Sequence, residues 1–235
     1  MSRQTVADLD NRKKLPPQLD LRLQTAADLV LPGLPVADIG CDHGKLTAVL
    51  AASGKYPKVI GADLRPGPLD KARQTMEKAG LAHQVELRLG DGLTVLRPGE
   101  VGSIVIAGVS AQTTIDIIRQ APWVRMPGGP RLVLVPATKH PVLRAWLYEN
   151  GFALLRDIPV QAAGRWYTVI AAAYTGAMQR PDSLTLARCV YGGAISEPGG
   201  PAYAAHELGK LKKLRLGLSD TDPLAVQIDA LAAQQ

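Results

Sequence analysis

Four carboxylates stand where short apolar runs give way to turns. The first run leads into Val36-Ala37-Asp38-Ile39-Gly40-Cys41-Asp42-His43-Gly44-Lys45, which reads as a glycine turn between a buried strand and a helix. The second run ends in Gly61-Ala62-Asp63-Leu64, and the third in Gly90-Asp91-Gly92. A turn serving a nicotinamide dinucleotide places its second glycine where Asp42 stands, so that the backbone can approach a pyrophosphate. Asp42 would face that double negative charge, and like charges repel.

The pattern suits a ligand that carries positive charge and no phosphate. Asp38 and Asp42 flank Gly40 and match an ammonium or sulfonium group, with Gly40 permitting close approach. Asp63 lies 23 residues beyond Gly40, near the spacing of about 20 for an acid that accepts from ribose hydroxyls. Leu64 stands beside it on the same turn. Asp91, with Gly92, is placed to accept from an adenine amino group. Each acid alone also reads as an ordinary helix cap or turn residue. Acids after three successive strands form a more specific pattern, and it predicts S-adenosylmethionine as the cofactor. No acid–base dyad stands out anywhere in the chain.

The elements that must position these groups alternate. Apolar runs at 35–40, 57–63, 84–89, 102–108 and 131–136 predict strands, and helical patterns at 44–53, 67–79, 111–120 and 141–150 fall between them. An amphipathic helix from Asp20, stopped by Pro32-Gly33, precedes the first strand. Short apolar strands alternating with helices predict a parallel sheet covered on both faces. The runs 152–158 and 166–174 flank a turn at Ala163-Gly164 and predict an antiparallel hairpin. Beyond about residue 177, helices are expected at 183–195, 203–216 and 222–234, with Glu197-Pro198-Gly199-Gly200-Pro201 as a breaker. The expected division is a Rossmann-like domain over 1–177, opened by a basic arm, and a helical region over 178–235.

Bulk composition agrees with an α/β domain. Of the 235 residues, 46% are hydrophobic and 20% charged, which is globular and not disordered. Lys and Arg outnumber Asp and Glu by 27 to 21, a tilt that favours a polyanionic partner such as RNA without requiring one. Cys41 and Cys189 form no metal or redox spacing, so no metal is expected and a reducing cytoplasm is the natural setting. No apolar run approaches the roughly 20 residues that cross a bilayer, and no membrane association is expected.

Taken together, Arg22-Leu23-Gln24, Asp38 to His43, Gly90-Asp91-Gly92, Ile106-Ala107-Gly108, Arg144-Ala145-Trp146-Leu147 and Gly164-Arg165-Trp166-Tyr167 resemble the bacterial tRNA (adenine-22-N1)-methyltransferase family. The resemblance covers about residues 18–175. It implies a class I methyltransferase fold, α/β and Rossmann-like, with a mostly parallel seven-stranded sheet, a terminal antiparallel hairpin and a small C-terminal helical appendage. It also implies S-adenosylmethionine as cofactor, tRNA as partner and methylation at N1 of an adenine. Ala107 joins the acids and glycines of the first three turns as a cofactor contact. Arg22, His43, Gly108 and Tyr167 become the catalytic candidates, with Tyr167 placed to stack on the target base. Lys139 and His140 fall where substrate should enter.

Lys210-Leu211-Lys212-Lys213-Leu214-Arg215 sets four basic residues on one expected helix, with Leu211, Leu214 and Leu218 as its apolar face. Lys139, Lys210, Lys212, Lys213 and Arg215, together with Arg22, are the RNA-binding candidates. Arg3, Arg12, Lys13 and Lys14 add charge at the other end. Two segments depart from the family's usual pattern: Val109-Ser110-Ala111 where Met-Gly-Gly is usual, and Ala137-Thr138 after Pro136, where Asn commonly follows. They support a second reading, a cofactor-binding homologue without catalysis that serves as an RNA- or protein-binding module.

Overall fold

The computed structural model describes residues 15–234, so Arg3, Arg12, Lys13 and Lys14 lie outside the described residues. Helix α1 (Leu21–Asp28) opens the fold, capped by the Asp20 carboxylate, which accepts from the Leu23 amide at 3.0 Å. Then β1 (Val36–Ile39), α2 (Lys45–Ala52), β2 (Val59–Asp63), α3 (Pro66–Ala79) and β3 (Val85–Leu89) follow. The chain continues through β4 (Ser103–Ala107), α4 (Ala111–Arg119), β5 (Arg131–Val135), α5 (His140–Glu149), β6 (Phe152–Ala162) and β7 (Arg165–Tyr174).

These strands form one sheet in the order β3-β2-β1-β4-β5-β7-β6. The first five are parallel, and β7 inserts antiparallel between β5 and β6. Ala163 and Gly164 make the two-residue hairpin turn, both at positive φ (48° and 73°), the turn whose twist matches that of the flanking strands. The sequence pattern ends the sixth strand at 158, before Pro159. The structure carries it on to Ala162, because β6 is an edge strand, where proline's missing N–H leaves no ladder partner unmet.

Helices cover both faces, and the alternation of side chains along each strand decides which face receives what. Ala37, Ile39, Ile104, Ile106, Leu132 and Leu134 face a core completed by α4 and α5. Val36, Val105, Val133 and Val135 face the opposite core, built on α1 and α2. Asp38 alternates with Ala37 and Ile39, so it shares the face of Val36, α1 and α2.

After β7 come α6 (Leu186–Tyr191), α7 (Gly200–Arg215) and α8 (Pro223–Ala232). The expected helix over 183–195 stops at the glycine pair Gly192-Gly193, where a 3-10 turn takes over. Gly200-Pro201 opens α7 instead of breaking it, since proline's missing N–H is unneeded in a first turn. The three helices share a small apolar cluster of Val190, Tyr191, Ala204, Leu208 and Leu231. A buried ion pair ties them to the sheet. Arg144 of α5 donates two hydrogen bonds to Asp157 of β6 (2.8 and 3.0 Å), one to the Val190 carbonyl (2.6 Å) and one to the Tyr203 hydroxyl (3.2 Å). Asp157 in turn accepts from the Gly193 amide at 3.2 Å. Arg144 and Asp157, 0% and 2% exposed, compensate each other's charge in a place where either alone would be costly.

Candidate active site

Between β1 and β4 the strand order reverses, and open α/β sheets bind ligands outside the carboxyl ends of the strands at such a point. A cavity of about 890 Å³ lies there. It gathers Asp38 of β1 with Gly40, Asp42 and His43 of the following turn, Asp63 at the end of β2 with Leu64, Asp91 and Gly92 after β3, and Ala107 at the end of β4 with Gly108. Arg22 of α1 closes the mouth. Residues from five separate stretches of the chain therefore line one space.

The turn after β1 owes its shape to β2. The amides of Gly40 and Cys41 both donate to the Ala62 carbonyl (2.8 and 2.9 Å), and the Asp42 amide donates to the Asp63 carboxylate at 3.1 Å. Asp42 sits at φ 49°, a left-handed conformation that Asp tolerates better than most residues. The other Asp63 oxygen accepts from the Arg65 amide at 3.0 Å, so this acid organises its own turn and its neighbour's. Gly40 and Gly108 adopt φ 72° and 82°, and a Cβ added at either would meet no atom within 4 Å. Their missing side chains face the cavity, leaving bare backbone for a ligand to approach.

Asp38 is 3% exposed and accepts from the Thr47 hydroxyl at 2.6 Å. Burial raises its pKa from 3.8 to about 6, opposed by the Thr47 hydrogen bonds and assisted by the negative charge of Asp63. Asp91 accepts from the Gln120 side chain at 3.2 Å. His43 and Asp42 are 45% and 66% exposed, with the ring nitrogen 3.7 Å from the carboxylate. Burial pushes the Cys41 thiol well above its ordinary range, helped by the charges of Asp38 and Asp63, and Cys41 packs with Leu69 and Ala72 as a core residue.

At the mouth, the Arg22 guanidinium lies over the Tyr167 ring, 5.2 Å from its centroid, and bonds Asp20 at 2.9 Å. Tyr167, on β7, does not itself line the cavity and meets it only through Arg22. His140 does not line the mouth: it is 5% exposed, and burial lowers its pKa to about 4. It stands in the first turn of α5, whose apolar face turns inward. Lys139, one residue earlier, is exposed.

The two departing segments meet at the rim. The Ala137 amide donates to the Val109 carbonyl (2.8 Å), and the Ala111 amide to the Thr138 carbonyl (3.2 Å), so backbone groups join the loops whatever their side chains. Ser110 caps α4, accepting from the Thr113 amide at 3.1 Å, and Ala111 is fully buried. Val109 alone of that triplet lines the cavity. Ser110 and Ala111 are not among the residues that line the cavity.

The basic residues of α7 are not equivalent. Lys210 is held by Glu207 at 2.8 Å. The Arg215 guanidinium bonds Asp229 at 2.9 Å and Asp220 at 2.6 Å, stapling α7 to α8. Lys212 and Lys213 are exposed. Leu211 packs into the helical cluster, whereas Leu214 is 50% exposed, so the apolar face is narrower than its spacing predicts.

Sequence reasoning passed over Thr47 and Gln120. Thr47 left a trace: after Lys45 it is the one polar residue of the helix Lys45-Leu46-Thr47-Ala48-Val49-Leu50-Ala51-Ala52. Gln120 left none, since 29 residues separate it from Asp91 and only the packing of α4 beside the third turn joins them.

Residues 19–170 match the family model described as a methyltransferase domain. The tRNA (adenine(22)-N(1))-methyltransferase of Bacillus subtilis (strain 168) is 34% identical over 155 residues, 66% of this chain and 65% of that protein. The solved B. subtilis M1A22 tRNA methyltransferase TrmK superposes with a TM-score of 0.72 at 26% identity, covering 92% of this chain and 95% of that one. Sp1610 of Streptococcus pneumoniae, solved in complex with S-adenosyl-L-methionine, shares the fold with a TM-score of 0.79 at 24% identity, covering 92% and 99%. A sheet in the order read above, a cavity at its switch point and a domain match over most of that sheet agree: the chain belongs to the methyltransferase domain family.

Proposed function

We propose that this protein is an S-adenosylmethionine-dependent methyltransferase that modifies N1 of adenine 22 in tRNA. The observation that carries the cofactor is the convergence of Asp38, Asp42, Asp63 and Asp91 on one cavity. Four carboxylates around the turns, Asp42 standing where a pyrophosphate would come closest, disfavour a pyrophosphate and favour a cationic methionine end, a ribose and an adenine amino group. The target rests on the likeness to the B. subtilis tRNA methyltransferase.

The residues fit this ligand in kind. Asp38 and Asp42 meet the amine end against the bare backbone of Gly40. Asp63 retains acceptor capacity beyond its two backbone bonds, since an ionised carboxylate offers about four lone-pair sites, and it takes the ribose hydroxyls. Leu64, 62% exposed, covers one face of the adenine, while Asp91 accepts from its amino group beside Gly92. Ala107 and Gly108 form the wall nearest the reacting centre. The bound cofactor supplies an electrophilic methyl group on a sulfonium.

N1 of an unpaired adenine carries its own lone pair, so the protein needs no general base. Its contribution is to hold the base in line and to stabilise the charge. Arg22 stacked on Tyr167 offers a planar platform for a base turned out of its stack, with His43 at the opposite lip. Residues 1–177 act as the catalytic domain and 178–235 as an RNA-contacting appendage, with Lys139, Lys212 and Lys213 as exposed cations that have no carboxylate partner among the described ion pairs. Lys210 and Arg215 keep their charge but share it with carboxylates.

Incubation with S-adenosylmethionine and an unmodified tRNA transcript, followed by nucleoside mass spectrometry, tests the proposal. The expected product is 1-methyladenosine that disappears when adenosine 22 is replaced. No transfer by folded, cofactor-binding protein overturns it in favour of a non-catalytic homologue. That alternative draws its support from 109–111 and 137–138, where Ser110 and Ala111 are committed to a helix cap and the core.

A further inference from the structure

Thr47 is fully buried, and its hydroxyl points at Asp38, which at 3% exposed is buried more deeply than Asp63 at 6%. Its bond to Asp38 is 2.6 Å long, the length of a hydroxyl bonded to an ionised carboxylate. The neighbouring strand is shaped around this contact. Gly61 lies inside β2, where glycine weakens a strand, and a Cβ there would stand 3.0 Å from the Thr47 methyl and 3.2 Å from its hydroxyl. Asp38, Thr47 and Gly61 therefore interlock across β1, α2 and β2, at the floor of the cavity.

We propose that Thr47 is a positioning residue: it fixes the Asp38 carboxylate toward the cofactor's cationic end and keeps it charged before the cofactor arrives. The inference rests on the reading of the cavity as an S-adenosylmethionine site. A buried carboxylate without a donor takes up a proton and becomes a poor partner for a cation. The Thr47 hydroxyl supplies that donor from the protein side, beside the bond from its own backbone amide. The other titratable groups around Asp38 are Cys41, Asp42 and His43 on its own turn, Lys45 on α2, Asp63 and Arg65 after β2, Asp91 after β3, and Asp20 and Arg22 beside α1. None of them donates to Asp38 among the described hydrogen bonds, and Asp63 works against its ionisation.

The sign of the pH effect follows. The ionised form binds the cation, so affinity is complete above the pKa of the empty site and falls as pH drops through it, near 6 in the native protein. Removing the Thr47 donor moves that midpoint up by about one pH unit, so affinity falls only about twofold at pH 7 and about eightfold at pH 5.5, where both forms are mostly protonated.

The test is calorimetric titration of S-adenosylmethionine from pH 5.5 to 8.5 into the native protein, Thr47→Val, Thr47→Ser and Gly61→Ala, together with 13C titration of the Asp38 carboxyl in the empty proteins. Thr47→Val and Gly61→Ala are expected to shift both midpoints upward, and Thr47→Ser to restore them. Gly61→Ala keeps the Thr47 hydroxyl but crowds it, together with the Leu87 side chain 3.0 Å from the added Cβ, so it offers a second way to displace Thr47 if Thr47→Val fails to fold. Native binding with an unchanged profile in the folded variants overturns the positioning role alone. Absence of binding by the native protein at every pH overturns the cofactor reading and this inference with it.

Discussion

Asp63 has two duties in this structure, and replacing it separates them. Its carboxylate, 6% exposed, accepts from the backbone amides of Asp42 and Arg65 (3.1 and 3.0 Å) and keeps its remaining lone pairs for the ribose. A hydrogen bond to a charged group contributes about 1.5–3 kcal/mol net. Loss of the ribose contacts in Asp63→Ala is therefore worth about 3 kcal/mol, or roughly a hundredfold in the dissociation constant of S-adenosylmethionine. The orphaned amides add about 1–3 kcal/mol of lost stability, read as a melting point lower by roughly 2–10 °C for a chain of this size. Asp63→Asn keeps one acceptor and is expected to fall between the native protein and Asp63→Ala in both measurements. Calorimetry gives the affinity and a thermal melt gives the stability. A folded Asp63→Ala that binds with native affinity refutes the ribose assignment, and a native melting point refutes the structural duty.

Two other perturbations probe the appendage. Asp157→Ala strands the buried Arg144 guanidinium without its counter-ion, a change that costs about 3–5 kcal/mol. The melting point should drop by about 10 °C, and hydrogen exchange should show α6 and Gly193 losing protection; a shift under about 2 °C contradicts the anchoring role. Lys212→Glu with Lys213→Glu should lower tRNA affinity on the order of tenfold at low salt and flatten its salt dependence, leaving cofactor affinity intact. Arg215→Ala should spare tRNA binding, because that guanidinium is already engaged by Asp220 and Asp229. Equal losses from both changes in filter binding would show that the internal ion pairs do not decide which cations reach RNA.

How much of this was legible in the sequence depends on the range of the interaction. Period and punctuation located the seven strands and the helices between them, because side-chain alternation, glycine turns and helix caps are local. The acids after β1, β2 and β3 were legible for the same reason, since each sits where a strand pattern ends. Reading failed where neighbours in space were distant in sequence. Pro159 looked like a strand end until β6 proved to be the edge. His140 looked like an entrance residue until α5 turned it inward, and the four cations of α7 looked alike until Glu207, Asp220 and Asp229 claimed two of them.

The chain by itself determined the order of the elements, the side of β1 on which Asp38 emerges and the negative character of the cavity, since those follow from residue type and strand period. Tertiary structure alone decided which distant donor meets each acid: Thr47 for Asp38, the Asp42 amide for Asp63, Gln120 for Asp91. Hydrogen bonds act over about 3 Å, and only the pairing of β1 with β2 and the packing of α2 and α4 against the sheet bring such groups that close.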